Sequence, residues 1–503
     1  MNALTVTNKT QFLQKLTQTF HDRLGPEEAV LVAEFASHFL QHLPFDELLQ
    51  RRFTDVYGTV LSAWHFVQSD PGEQALVKVF NPDLEEDGWQ SSHTLLFVLH
   101  RNIPFLIDSL RMAINQRELN IHSIYYTVFR PQRQQGIVAL EVATQTPRDP
   151  AEEALMVLEV DRHSEATALA ALRGDLEQVL HEVRTAVADF PVMRERALAI
   201  LEELQTAPGK LQQSDMEEAR AFIQWLTSDH FTFLGYDEHD FVRRKSDIEV
   251  RQVTGSELGI LRLHNERQHP VRLNQLPVQT REAMTRNDDL FIFAKSAQRS
   301  RVHRPAYPDY IAIKKFNDKG QVVGERRFLG LYTARVYNER PDEIPLLRAK
   351  VNRVLERSGF PRDDYAGKEL DQILTVYPRD QLFQMESEEL LKVATAILYI
   401  QERRHIRLFM REDVYGEFVT CLVFVPRELY CTELRQDMEE AISNMLDAQG
   451  IEFTTYFSES VLARTQFTVR VTPENNRTLP EALLQVEIAL HDSEFALAGV
   501  SGE

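Results

Sequence analysis

Residues 93–130 constrain the fold more than any other part of the chain. An apolar run rich in strand-favouring residues, Thr94–Leu99, is followed by Pro104, which suits a first helical position because proline lacks the N–H that would be unpaired there. A helical repeat follows, with apolar residues at every fourth position: Leu106, Leu110 and Ile114. A second strand-like run covers Ile121–Phe129. This strand–helix–strand order predicts a small ferredoxin-like α+β unit, a type of unit that more often senses or assembles than catalyses.

The remaining pattern predicts a multidomain α+β protein. A chain of 503 residues is too long for one hydrophobic core. Two ferredoxin-like domains are expected to flank a middle antiparallel-sheet domain, with a helical segment at the start. The expected boundaries are 1–80 for the N-terminal helical segment, 90–190 for the first ferredoxin-like domain, 191–227 for a helical linker, 228–385 for the middle α+β domain, 386–480 for the second ferredoxin-like domain with a preceding helix, and 481–503 for a tail helix.

Several elements are predicted within these boundaries. One helix is expected over 165–188 and a separate one over 191–206, and Ser214 with Glu217 has the spacing of a capping box ahead of a helix over 215–227. The strand-rich stretch is expected to run to Tyr337, and a loop is expected to about residue 385 after a helix at 343–358. The last domain is expected to read β-β-α-β-β.

Charge and cysteine content exclude several classes of protein. The formal charge is −20, from 56 basic and 76 acidic residues, which argues against nucleic acid or an anionic membrane as the main partner. Cys421 and Cys431 make neither a metal-ligand spacing nor a disulfide framework. No apolar run is long enough to span a bilayer, and the first residues lack the features of a signal peptide. A cytoplasmic location is expected.

Searches for catalytic motifs find none. The 19 glycines never adopt the G-x-G-x-x-G spacing of a dinucleotide fold, and the phosphate-binding loop, H-E-x-x-H and G-x-S-x-G are also absent. We therefore assign no catalytic residue and no metal ligand. Isolated histidines are interpreted as surface or packing residues: His93, His100, His264 and His269. Cys421 is expected in a core, and Cys431 at a turn before a helix.

Two basic clusters stand out against the acidic background. The first contains Arg299, Arg301, His303 and Arg304, and the second contains Arg403, Arg404, His405, Arg407 and Arg411. Grouped guanidinium groups could hold a phosphate or carboxylate effector. The alternative interpretation is that they pair with this chain's surplus of Asp and Glu.

An ordered series of phrases resembles one family over residues 25–475. The phrases are SDHFTFLGY (228–236), RVHRPAYPDYIAIKKF (301–316), GERRFLGLYTARVY (324–337), YPRDQLF (377–383), LYIQERRHIRLFMRED (398–413) and SESVLAR (458–464). They are similar to the N-terminal region of the large bacterial NAD-dependent glutamate dehydrogenases. The resemblance implies that both ferredoxin-like units are ACT-like domains. It also implies that NAD and the catalytic residues belong to a separate C-terminal domain, with no cofactor in this chain. By fold analogy alone, the middle sheet is compatible with a PAS- or GAF-like sensor.

One position departs from ACT domains that bind amino acids. Those domains typically place a small residue just after the turn proline, where backbone can approach a ligand. Here Phe105 follows Pro104. We expect the phenyl ring to fill that space, so that binding at the turn of Asn102 is weak or absent.

The main hypothesis is a non-catalytic, regulatory and oligomerisation portion of such a dehydrogenase. The alternative is a freestanding ACT- and PAS-like small-molecule sensor, and the two differ in whether the reading frame continues far beyond Glu503. An independent enzyme assembled from distant residues has no motif in its favour. Self-association is expected, as is a small anionic or amino-acid effector held by Arg299, Arg301 and Arg304, with Asn102 as the weaker candidate.

Overall fold

The computed structural model describes residues 8–134, 136–142, 149–204, 211–244, 247–263, 270–400, 406–457 and 460–473. The chain forms two compact units. The first contains Met1–Ala188 together with Ser300–Pro305, and the second contains Asp189–Arg299 and Ala306–Glu503. The predicted tail helix at 481–503 lies outside the described residues, as do five basic side chains discussed above: His264, His269, Arg403, Arg404 and His405.

The first unit opens with helices, as the sequence predicts. They are α1 (Lys9–Arg23), α2 (Pro26–Phe39), α3 (Phe45–Gln50) and α4 (Phe53–Val67). The Asn8 side chain caps α1 by accepting a hydrogen bond from the Gln11 amide, and proline occupies the first position of α2. Their apolar faces share one core with alternate residues of the sheet that follows, among them Phe97 and Val157.

A ferredoxin-like sheet forms the rest of the first unit. Its elements are β1 (Leu76–Phe80), β2 (Thr94–Arg101), α5 (Leu106–Asn115), β3 (Ile121–Arg133), β4 (Ile137–Val142) and β5 (Glu153–Val160), followed by α6 (Ala166–Glu203), which belongs to this unit as far as Ala188. The strands pair antiparallel in the order β1-β2-β5-β3-β4. Leu106, Leu110 and Ile114 are all buried on one side of α5, which confirms the predicted period. The edge position beside β2 is taken by β1, which precedes β2 in the chain.

Helix α6 corrects one prediction. The helices expected at 165–188 and 191–206 are a single helix, Ala166–Glu203, with Pro191 inside it. Proline in a helix interior removes one backbone hydrogen bond. The apolar spacing nevertheless continues past it, because Met193, Ala197 and Ile200 are buried. Tertiary burial on both sides of Pro191 therefore outweighs the local preference for a break.

The second unit contains the middle antiparallel sheet, which confirms that part of the predicted fold class. Its elements are α7 (Gln213–Trp225), β6 (Phe231–Arg243), β7 (Ile248–Gln252), β8 (Leu258–Gly259), β9 (Val271–Arg272), α8 (Val278–Thr285), β10 (Phe291–Lys295), β11 (Asp309–Phe316), β12 (Val322–Tyr332), α9 (Ala334–Asn338), α10 (Leu347–Ser358), α11 (Tyr365–Val376), α12 (Arg379–Gln384) and α13 (Ser387–Ile400). The strand order is β10-β11-β12-β6-β7-β9, with β8 beside β6.

Three local predictions in this unit are wrong. The capping box belongs to Gln212 and Asp215 rather than to Ser214 and Glu217. The residues after Tyr332 form helix α9 instead of continuing the strand. The expected loop before residue 385 contains α11 and α12, since Leu370, Ile373, Leu374 and Leu382 bury an apolar face.

The last sheet repeats the strand order of the first, but without a counterpart of β4 among the described residues. Its elements are β13 (Arg407–Glu412), β14 (Phe418–Pro426), α14 (Thr432–Leu446), β15 (Gly450–Tyr456) and β16 (Leu462–Arg470), in the strand order β13-β14-β16-β15. The predicted β-β-α-β-β order is confirmed. Cys421 is fully buried in β14, as expected of a core residue, and Cys431 is the N-cap of α14.

Candidate functional site

The turn between β2 and α5 is the candidate site, because it contains Asn102 and lies against the segment that carries Arg301 and Arg304. Phe105 adopts a left-handed backbone conformation there, with φ 69° and ψ 6°. That region suits glycine and is unusual for a residue with a side chain. The Phe105 ring lies against the His303 ring, with centroids 4.7 Å apart and an interplanar angle of 45°. Phe105 therefore fills the space beside the turn and does not leave it open.

Residues 300–305 cover this turn as part of the first unit. The His303 amide donates a hydrogen bond to Ser109 Oγ on α5 at 3.0 Å. Val302 is fully buried, and the Ser300 hydroxyl bonds both the carbonyl and the amide of Val302. His303 also has a left-handed backbone, with φ 73°. The segment is thus held by burial and by hydrogen bonds to the helix that begins at the turn.

Two of the predicted effector arginines have carboxylate partners within this chain. In the second unit, Arg299 lies 3.0 Å from a Glu452 carboxylate oxygen and over the Tyr307 ring. In the first unit, Arg301 pairs with the buried Glu182 on α6 at 3.2 Å. The Arg304 amide donates to the Val302 carbonyl at 3.0 Å. An anion at Arg299 or Arg301 would have to compete with a carboxylate that is already there.

Asn102 anchors the turn to the start of β5. Its amide donates to the Glu152 carbonyl at 2.8 Å, and its side-chain Nδ2 donates to Glu152 Oε2 at 2.9 Å. The Tyr126 hydroxyl donates to Asn102 Oδ1 at 3.4 Å. Both polar ends of the Asn102 side chain are thus used inside the first unit.

A buried ion pair lies next to this anchor. Glu153 is 1% exposed and accepts from Arg133 at 2.6 Å, with Arg101 3.4 Å away. Burial raises the pKa of Glu153 against the opposing effect of Arg133. Arg133 in turn donates to the carbonyls of Val67 and Gln68 at the end of α4. The candidate turn is therefore joined to the N-terminal helices through charged hydrogen bonds.

The sequence did not reveal the partners of the turn. Ser109 and Glu182 are buried polar residues of helices, and no local pattern assigns them a partner 194 and 119 positions away. His303 was visible only as a member of a basic cluster. The left-handed backbone of Phe105 is hard to predict from the sequence, because such positions usually carry glycine and this one carries a bulky side chain.

The described part of the chain shows neither a membrane-spanning helix nor a metal-binding cluster. No helix there combines enough length and apolarity to cross a membrane. In the same residues, no group of three His, Cys, Asp or Glu side chains is arranged to hold a metal ion.

Comparison with known proteins identifies the family. Three family models of glutamate dehydrogenase match the chain: the ACT1 domain over residues 35–176, helical motif 1 over 344–403 and the ACT2 domain over 407–491. The chain belongs to the family of the large NAD-specific glutamate dehydrogenases. This confirms the resemblance drawn from the ordered phrases.

Individual relatives agree with the family models. An NAD-specific glutamate dehydrogenase of Halomonas elongata is 45% identical over 469 residues, which cover 93% of this chain and 29% of the relative. The enzyme of the same name from Pseudomonas aeruginosa is 41% identical over 492 residues, covering 97% of this chain and 30% of the relative. One from Mycobacterium tuberculosis is 27% identical over 373 residues. The chain therefore spans less than a third of the length of these relatives.

The described sheets of this chain do not have the form of a dinucleotide fold. Dinucleotide folds use a parallel sheet and a glycine-rich turn at a helix N-terminus. The described sheets are antiparallel, and the sequence contains no G-x-G-x-x-G. We assign no NAD contact to any residue here.

Proposed function

We propose that this chain is the non-catalytic, regulatory and self-associating portion of a large NAD-dependent glutamate dehydrogenase. The parent reaction would convert L-glutamate and NAD to 2-oxoglutarate, ammonium and NADH, with NAD held outside this chain. The observation that carries the proposal is the presence of two ACT-domain matches in a chain without a dinucleotide fingerprint. The proposal includes a cytoplasmic location.

Activity assays test the catalytic part of this proposal. The purified chain, given L-glutamate and NAD, should form no NADH above a protein-free blank. The P. aeruginosa relative serves as the positive control under the same conditions. Sustained NADH formation by this chain alone, retained through repurification, would overturn the proposal.

Self-association is supported by the last sheet. Strand β15 stands at one end of the strand order, and Phe453 and Tyr456 on it are 47% and 39% exposed. Sheet edges with exposed aromatic residues tend to pair with another chain. Light scattering should give a mass above the 58.2 kDa of one chain, with a lower mass for Phe453→Lys. A strictly monomeric mass at high concentration contradicts this part.

The effector part concerns Arg299, Arg301, Arg304 and Asn102. We propose that a small anionic or amino-acid effector competes with the carboxylate partner at Arg299 or at Arg301. Calorimetry with amino acids and with phosphate-bearing metabolites should give heat that Arg301→Ala removes. Binding of a neutral amino acid that Arg301→Ala leaves intact and a change at Asn102 abolishes would place the site at the turn instead.

A further inference from the structure

Four polar side chains cross the middle sheet in one row. Lys314 on β11 stands opposite Glu325 on β12, Glu325 opposite His239 on β6, and His239 opposite Gln252 on β7. Residues directly opposite in antiparallel strands project from the same face of a sheet. Two residues away from Glu325 and His239 on the same strands, Arg327 stands opposite Asp237. One face of this sheet therefore carries a continuous polar band.

This face is covered, and a cavity of about 140 Å³ lies over the band. Its polar wall is formed by His239, Gln252, Glu325, Arg327 and Tyr415. Its apolar wall includes Val250, Leu276 and Met284. A site with a few polar groups at one wall and apolar side chains at the other is the usual form of a small-molecule pocket.

Most charges in the band are paired inside the chain. Arg327 donates to both carboxylate oxygens of Asp237, at 2.9 and 2.6 Å. Lys314, whose side chain is fully buried, binds the Asp289 carboxylate and the Arg286 carbonyl. Each of these two pairs is neutral by itself. Burial raises the pKa of Glu325, against the opposing effect of the nearby Arg327.

Two buried atoms at the cavity have no hydrogen-bond partner among the described residues. They are Glu325 Oε2 and His239 Nδ1, and the two residues are 2% and 4% exposed. His239 Nδ1 lies 3.7 Å from an Asp237 carboxylate oxygen, which is too far for a hydrogen bond. Burial, together with the nearby Arg327, lowers the pKa of His239 to about 4, so its ring is neutral near neutral pH.

Unpartnered buried polar groups are rare in folded proteins, so these two need an explanation. The cavity is far larger than the ~30 Å³ share of one water molecule, and similar to the ~150 Å³ cavity that holds benzene in another protein. A ligand of this size must therefore offer hydrogen-bond donors to Glu325 while burying a short apolar body. An anion that carries no ammonium group does not fit, since its charge would face the Glu325 carboxyl group without a donor for it.

We propose that this cavity binds a small primary amine, with its ammonium group on Glu325 and its aliphatic body against Val250, Leu276 and Met284. His239 Nδ1, as an acceptor, and the Gln252 side-chain carbonyl complete the ammonium's hydrogen bonds. The same chemistry is present in a simple alkylamine and in an aliphatic α-amino acid, whose carboxylate would lie towards Arg327 and Tyr415. This site stands on the geometry of the second unit and does not depend on the proposed function.

Titration calorimetry on the whole chain tests the site with three probes that share one body: isobutylamine, L-valine and isobutyrate. We expect binding of at least one of the two amines and none of isobutyrate. Equal binding of both amines shows that the protein recognises the ammonium group alone. Binding of valine alone shows that Arg327 also binds the carboxylate. Either result supports the site. Binding of isobutyrate, or of no probe at millimolar concentration, overturns it.

Matched variants test whether the heat of amine binding comes from this cavity. Glu325→Gln keeps the shape and removes the charge, and it should weaken amine binding roughly 10- to 100-fold, as expected for a charged hydrogen bond of about 1.5–3 kcal/mol. The control Glu238→Gln makes the same change on β6, at the residue before His239. There the carboxylate accepts a hydrogen bond from the Tyr236 hydroxyl, and the substitution should leave amine binding unchanged.

A second variant guards against misfolding of the first. Val250→Phe fills the cavity from its apolar wall with every charge kept, and it should also abolish binding. A thermal unfolding midpoint close to that of the wild type shows that a variant is folded. Unchanged binding in a folded Glu325→Gln or Val250→Phe variant contradicts the assignment.

Discussion

The first and last sheets share the order of four strands but close their strand–helix turns in different ways. At the β2–α5 turn, the left-handed Phe105 is covered by His303, which lies almost 200 residues further along the chain. At the β14–α14 turn, Tyr430 packs edge-on against Phe457 and its hydroxyl lies 2.6 Å from Thr455 Oγ1. The second turn is thus closed by its own domain, whereas the first needs a distant segment.

The difference shows that an ACT-type topology does not decide the chemistry of its turn. Cys431 ends the second turn as an ordinary N-cap, its Sγ accepting from the Leu434 amide at 3.4 Å. The first turn has no capping side chain, and its helix instead receives the His303 amide through Ser109. A change far along the sequence can therefore open the first turn, while the second should respond only to its neighbours.

The largest effect is expected from Val302→Asp. This side chain is fully buried, and an uncompensated buried carboxylate should destabilise the first unit by about 3–5 kcal/mol. Hydrogen–deuterium exchange should rise in β2 and α5. The matched control is Val461→Asp beside the second turn, where the side chain is 41% exposed and little change is expected. Equal exchange profiles for the two variants would show that segment 300–305 does not hold the first turn.

A smaller effect should separate Ser109→Ala from Cys431→Ala. The first variant leaves the His303 amide without its acceptor and should cost about 1–3 kcal/mol. The second removes a weak sulfur acceptor from a helix end and should cost less than about 1 kcal/mol. Urea unfolding compares the two. A larger loss of unfolding free energy for Cys431→Ala than for Ser109→Ala would contradict the view that a distant segment closes the first turn and local residues close the second.

Substitution by glycine and by alanine should rank in opposite order of stability at the two turns. At Phe105 both changes lose the ring contact, but only glycine relieves the left-handed strain of roughly 1–2 kcal/mol, so Phe105→Gly should be more stable than Phe105→Ala. Tyr430 is not among the residues with positive φ, so Tyr430→Ala should be more stable than Tyr430→Gly by about 0.5–1 kcal/mol. Unfolding free energies of the four variants test this, and the same rank at both turns would contradict it.

Local patterns predicted what is decided locally. The spacing of Leu106, Leu110 and Ile114 identified α5, because one turn of helix brings these positions to one face. Helix α11 was missed although Leu370, Ile373, Leu374 and Tyr377 carry the same spacing. Pro361 and Pro378 lie on either side of these residues, so the helical signal between them is short.

The covering of the first turn and the buried polar band could not be predicted from one sequence. Alternation of polar residues in a strand, as in Asp237 with His239 or Glu325 with Arg327, is typical of a face turned to water. Here that face is buried, since the residues that cover it come from distant parts of the chain. The same applies to His303 and Ser109, whose contact spans 194 positions.

The smallest expected effect is a pH dependence confined to the first turn. Burial and the neighbouring Arg304 lower the pKa of His303 from its ordinary 6.5, with Asp108 on α5 opposing them. The unfolded chain therefore binds the proton more readily than the folded chain, and the stability that the neutral ring provides is lost as pH falls below about 6.5. His100, buried with a lowered pKa, contributes with the same sign, so His303 must be isolated by a variant.

His303→Asn isolates it, because asparagine tolerates the left-handed backbone and does not titrate. Between about pH 7.5 and pH 5.5, corrected hydrogen exchange at α5 should rise more in the wild type than in His303→Asn. The second turn provides an internal control in the same experiment, since residues 406–473 contain no histidine and exchange at α14 should change equally in both proteins. An identical acid response at α5 in the two proteins would mean that the His303 ring makes no pH-dependent contribution to closing the first turn.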